Sequence, residues 1–162
     1  MNAPLIQSRA SLARFCSLAL ALVASACGGD VRTVSYDDGA PWQRSEWRAG
    51  RRDGLHQVWA PDGSLENEEA YAKGLPHGKW SVFVAGGQLM HEEHWARAVR
   101  HGLERAWHPN GQLRAEGRWE EGERVGEWRM WGDDGREEAR FIFEKGTRVA
   151  ATRFELEAAP AD

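Results

Sequence analysis

Residues 102–126 read GLERAWHPNGQLRAEGRWEEGERVG, and the copies of this stretch decide the fold. His108-Pro109-Asn110-Gly111 fits a type I turn closed by a left-handed glycine. Proline presets φ at the first corner, asparagine tolerates the second, and glycine takes φ > 0. Glu121-Gly122 marks a second, opposite turn. The stretch is therefore strand, hairpin turn, strand, linking turn, with strands expected at about 103–108 and 112–119, roughly 20–27 Å each.

The same unit recurs in both directions. Gly54, Gly78, Gly102 and Gly126 are 24 residues apart, and Ala150 takes the next place. Gly39, Gly63, Gly87, Gly111 and Gly135 keep the same step, as do Gly50, Gly74, Ala98, Gly122 and Gly146. Aromatic residues follow in two series: Trp59, Phe83, Trp107 and Trp131, then Trp47, Tyr71, Trp95, Trp119 and Phe143. Leu65, Leu89 and Leu113 form an apolar series that ends at Glu137. With Trp80 and Trp128 in a further phase, eight of the nine tryptophans are periodic, Trp42 being the exception. Chance does not hold so many independent series in register. The expected fold is all-β: an extended antiparallel meander of stacked β-hairpin repeats with a 24-residue period and about ten strands. Each aromatic is expected to stack toward its counterpart in the next unit, with leucine between.

The first residues call for separate treatment. Arg9 and Arg14 precede an apolar run, Phe15 to Ala26, which suits a signal-peptide core and is too short for a spanning helix. It ends Ala24-Ser25-Ala26-Cys27-Gly28-Gly29, small residues before a cysteine, similar to a bacterial lipobox. The other reading is ordinary cleavage after Ala26, giving a secreted or periplasmic protein. The chain has two cysteines. Cys16 leaves with the leader, so Cys27 has no disulfide partner, and lipidation explains it. The divisions are thus 1–26 signal peptide, 27–29 lipidated Cys27 and tether, 30–149 five repeats with the first degraded, and 150–162 a final edge strand and disordered tail. The expected location is the cell envelope, anchored to a membrane through Cys27. Net charge is −4. Losing Arg9 and Arg14 makes it −6, which argues against a nucleic-acid partner.

The unit resembles the bacterial variant of the MORN repeat, closest to the YwqK-type toxin–antitoxin antitoxins. Gly102, Trp107, Asn110, Gly111, Leu113, Glu116, Gly117, Trp119, Gly122 and Gly126 carry the resemblance, with Gly78-Lys79-Trp80 and Gly126-Glu127-Trp128 matching the opening of the pattern. The resemblance implies a protein-interaction scaffold or a membrane-associated module. The antitoxin label implies neutralisation of one partner protein, although an exported chain departs from a cytosolic antitoxin.

Chemistry is weakly signalled. His91-Glu92-Glu93-His94 is the one local cluster, but positions three apart on a strand point to opposite faces. His77 and His101 precede the linking strands' glycines in one phase and are read as turn residues. Glu68, Glu92 and Glu116 recur and are read as a solvated face. Ser64 and Ser81 lack a nucleophile elbow, and Gly86-Gly87 precedes no helix N-terminus that could cradle phosphate. No catalytic residue, cofactor or metal is expected. The site residues are Cys27, the turn glycines Gly63, Gly87, Gly111 and Gly135, and the aromatics Trp59, Phe83, Trp107, Trp131, Tyr71, Trp95, Trp119 and Phe143. Trp42, Trp80 and Trp128 are candidates for an exposed binding face, the alternative being that coiled strands bury them. The expected function is a non-enzymatic, protein-binding or scaffold lipoprotein. The alternatives are an antitoxin or immunity-type protein and a phospholipid-binding module.

Overall fold

The computed structural model describes residues 21–24, by their backbone, and 28–154. The described residues form strands and no helix. The strands are β1 (Ala21–Ala24), β2 (Gly29–Ser35), β3 (Pro41–Arg48), β4 (Arg51–Trp59), β5 (Leu65–Ala72), β6 (Leu75–Val84) and β7 (Gln88–Ala96). They continue as β8 (Val99–Arg100), β9 (Gly102–Trp107), β10 (Leu113–Glu120), β11 (Glu123–Trp131), β12 (Glu137–Glu144) and β13 (Thr147–Arg153). All lie in one antiparallel sheet, each beside its predecessor. β8 and β9 share one place in it: both pair with β7, on either side of His101. The expected all-β meander is the fold found, and β9 and β10 fall within a residue of the strands read at 103–108 and 112–119. The expected signal peptide, Cys27 and the residues from 155 onward lie outside the described residues, apart from the backbone of β1.

Two kinds of turn alternate along the chain. At the hairpin loops, the N–H of Gly39, Gly63, Gly87, Gly111 and Gly135 donates to the carbonyl three residues back at 2.9–3.0 Å. Each of these glycines has φ between 78° and 87°. At the linking turns Ala49-Gly50, Lys73-Gly74, Arg97-Ala98, Glu121-Gly122 and Lys145-Gly146, both residues have positive φ. That is the type I′ geometry, whose twist matches that of the flanking strands. These turns also bind the preceding unit. Gly74, Ala98, Gly122 and Gly146 donate their N–H to the carbonyls of Arg52, Pro76, Arg100 and Arg124, at 2.7–3.1 Å.

The series of Gly54, Gly78, Gly102 and Gly126 makes bulges. Ser45 pairs with His56 and Trp47 with Arg52, so Glu46 alone faces the three residues 53–55. Gly54 takes φ 124° there, and Gly78 and Gly102 take 94° and 116° at the corresponding places. Ala150 replaces glycine in the last unit and does not adopt positive φ. The wide bulge is lost with it. The first units pair residues eleven apart, Ser45 with His56 and Glu69 with Trp80, yet Phe141 pairs with Ala151. β13 has slipped by one residue, which exchanges the faces its side chains occupy.

The sheet is one layer. Among the described residues, the apolar side chains that are buried are Ala106, Trp128 and Ala139. Stability therefore rests on cross-strand neighbours, each worth about 0.2–1 kcal/mol, with about 0.5–1.5 kcal/mol more for a well-placed aromatic pair.

Candidate functional site

One face of the sheet carries a run of rings. Tyr71, Trp80 and Trp95 follow one another at centroid separations of 5.5 and 5.2 Å. Trp119, Trp128 and Phe143 do so at 5.7 and 6.1 Å, in edge-on contacts. The spacers between same-phase aromatics are thus Trp80 and Trp128, and leucine is not among them. Leu65, Leu89 and Leu113 pair instead with Trp59, Phe83 and Trp107 at the hairpin-loop ends of their strands. Trp131 pairs there with Glu137. Trp80 and Trp128 belong to the ring run and do not form a separate exposed face. Trp128 is 7% exposed, whereas Trp42 is 41% exposed.

Arginines interleave with the rings. Arg52 stacks on Tyr71, at 5.2 Å from guanidinium carbon to ring centroid. Arg100 lies 5.6 Å from Trp95 and 4.9 Å from Trp119, bridging the two halves of the run. Arg124 lies 5.3, 4.5 and 5.6 Å from Trp119, Trp128 and Phe143, and Arg148 lies 5.4 Å from Phe141. Such contacts contribute about 0.5–2 kcal/mol each, depending on exposure. Arg52, Arg100, Arg124 and Arg148 keep the 24-residue step, with Pro76 as the exception. That step is legible in the sequence, but a periodic charge alone fits a solvated face, and its contact with the rings follows only from the strand register.

Around Arg100 the face is polar and closed. Its Nε is 3.1 Å from Glu93 Oε2, and its Nη1 is 3.9 Å from Glu104 Oε2. The Glu93 contact is an ion pair without hydrogen-bond alignment, so this buried oxygen accepts no hydrogen bond among the described residues. Trp95 Nε1 donates to Glu93 at 3.0 Å and Trp119 Nε1 to Glu104 at 2.5 Å. His91 Nε2 is 3.3 Å from Glu104 Oε1. That hydrogen bond raises the imidazole above its ordinary pKa, against the opposing effect of burial. Burial pushes the Glu104 carboxyl up, but the hydrogen bonds from His91 and Trp119, with the nearby charges, hold it below the usual range.

His91, Glu93 and Glu104 place one ligand atom each within 4.8 Å of one another, a metal-compatible grouping. The His91–His94 pair weighed from sequence passes over it, because Glu104 arrives from the next strand. Arg100 already supplies the cation to both carboxylates, and a metal ion would have to displace it. His94 faces away, its Nδ1–H donating to the Leu103 carbonyl at 2.9 Å. His56 shares a 2.7 Å hydrogen bond with buried Ser45. His108 Nε2 donates to the Trp131 carbonyl at 2.8 Å, and His77 and His101 are exposed.

The opposite face is a charge ladder. Gln57, Glu68, Ser81, Glu92, Arg105 and Glu116 succeed one another across the register. Glu68 accepts from Gln57 at 2.9 Å, Glu92 pairs with Lys79 at 3.6 Å and Glu116 with Arg105 at 2.6 Å. Each repeated carboxylate therefore has a donor on the preceding strand. Ser64 bonds Asp62 in its loop, and Ser81 is 2% exposed.

Beyond Arg100 the aromatic face opens into a groove of about 330 Å³, lined by Arg114, Arg124, Trp128, Met130, Phe141 and Arg148 among others. Residues 100–121 match the family model described as a MORN repeat variant. No curated protein matches the chain.

Proposed function

We propose that this chain is a non-enzymatic lipoprotein of the cell envelope, whose repeat sheet binds a protein partner or acts as a scaffold for it. A MORN repeat variant supports the coarser reading, a repeat module that binds protein or membrane. The observation that carries the finer one is the aromatic and arginine face. No second layer covers it among the described residues, and its rings are the residue type that anchors protein interfaces. An antitoxin or immunity-type role is the same reading with a single dedicated partner. A phospholipid-binding role would use the same arginines on headgroups.

The test is face-specific photocrosslinking in envelope preparations of the producing cell. A photoreactive residue at Met130, on the aromatic face, should capture one protein reproducibly, and one at Glu92, on the charge ladder, should not. Equal capture from both faces, or from neither, would reject a protein-binding face. Crosslinks to lipid alone would move the function to the phospholipid reading. A Cys27→Ser form that still fractionates with membranes would remove the lipid anchor.

A further inference from the structure

Repeat proteins allow one unit to serve as the control for another. Arg100 is neutralised by Glu93 and Glu104. Twenty-four residues on, Arg124 occupies the same place, but Gly117 and Trp128 stand where Glu93 and Glu104 did. For Arg148, the place of Glu93 is taken by Phe141, and the slipped register presents Ala151 beside it. Arg114, on the same groove, also lacks a carboxylate. Among the described residues none of Arg114, Arg124 and Arg148 makes an ion pair, and all three are exposed.

We propose that Arg124 and Arg148 receive the carboxylates of an acidic polypeptide segment of the partner protein, laid along the C-terminal half of the aromatic face. This rests on the protein-binding reading above. The internal precedent is carboxylate: the same arginine position, one unit earlier, is satisfied by two glutamates. Exposed Met130 and the half-buried rings of Phe141 and Phe143 add apolar contact beside the charges, which a segment with apolar or aromatic side chains next to its acids uses and a bare anion does not. The whole chain is acidic, at −4. General attraction to anions is therefore absent, and binding must come from local contact geometry. Arg124 lies against three rings, which restricts its guanidinium before a carboxylate arrives.

The experiment titrates the full chain into a fluorescein-labelled peptide of alternating Glu and Tyr, read by anisotropy. A Lys/Tyr peptide, inorganic phosphate and phosphatidylglycerol vesicles run in parallel. The Glu/Tyr peptide should bind saturably and weaken with added salt. The Arg124→Gln/Arg148→Gln double variant should lose at least tenfold in affinity, while Arg51→Gln, at an exposed arginine away from the groove, should lose none. Ala151→Glu is the second variant. It builds a carboxylate into the exposed edge strand beside Arg148 and should cost several-fold in affinity without removing any ring. Unchanged binding in the double variant and in Ala151→Glu would overturn the proposal, as would equal binding of the Lys/Tyr peptide. Saturable binding to vesicles with none to the peptide would also overturn it. A positive crosslink at Met130 with no peptide binding leaves the protein-binding reading standing and removes the acidic-segment assignment alone.

Discussion

The guanidinium carbon of Arg124 lies 4.5 Å from the ring centroid of Trp128. The two meet because a linking turn sets Arg124 on the same face as the ring four residues later, and Trp119 and Phe143 close in from the neighbouring strands. Trp128 is the largest apolar side chain buried among the described residues. Trp128→Ala should therefore cost about 3 kcal/mol, read as a lowered urea midpoint. Trp42→Ala, at an exposed ring, should cost less than about 0.5 kcal/mol. Equal losses would mean that the ring run does not carry stability.

The His91–Glu104 pair makes stability depend on pH. His91 is raised above its ordinary 6.5, so its contribution is complete below that value and is lost as pH rises through the folded-state pKa. Glu104 is lowered, so its contribution is complete above the ordinary carboxylate value and is lost as pH falls through the folded one. The pair is strongest between the two ordinary values, 4.5 and 6.5. His91→Gln should thus be destabilising by up to about 1 kcal/mol near that window. The deficit should disappear in alkaline buffer, as followed by denaturant unfolding across a pH series. A deficit that grows with pH would reverse the assignment.

Arg97-Ala98 is the linking turn that lacks glycine, and Ala98 sits at φ 66°. Left-handed backbone costs a non-glycine residue about 1–2 kcal/mol. Ala98→Gly should relieve most of it, with a gain of about 1 kcal/mol after the greater freedom of glycine in the unfolded chain is allowed for. The check is the thermal midpoint, which should rise. A fall would show that the Ala98 methyl makes contacts worth more than the strain.

Two bulge glycines separate conformational strain from collision. A Cβ on Gly126 would meet nothing within 4 Å, and its φ is 65°. Gly126→Ala should cost about 1 kcal/mol. A Cβ on Gly54 would lie 2.1 Å from Glu46 Oε2, at a φ of 124° that lies outside the left-handed helical well. Gly54→Ala should therefore cost clearly more, and calorimetry of the two variants ranks them. The opposite order would show that the strand at Glu46 gives way and that the backbone at Gly54 has little strain.

Most of the fold was legible because turn chemistry is local. His108-Pro109-Asn110-Gly111 states its own geometry, and the 24-residue step then repeats it along the sheet. Strand pairing follows, since a meander joined by short turns has little freedom of register. The face was only partly legible. Periodicity identifies Trp119 and Phe143 as one series, but which residue separates them depends on the bulge at Gly126, and Trp128 is a member of another series. The cluster of His91, Glu93 and Glu104 required the register between β7 and β9. The register slip at Ala150 could have been suspected, since that glycine series breaks there, but the direction of the slip depends on pairing that no local motif specifies.

The linking turns bond to the unit before them, and among the described residues each strand pairs only with strands that adjoin it in the sheet. A change of 24 codons in the gene, gained or lost between two such turns, would therefore keep the backbone pairing of every surviving unit and alter side-chain partners only at the junction. The number of units is an inherited variable of this architecture, and the length of the aromatic face can be adjusted over generations without redesigning any single position.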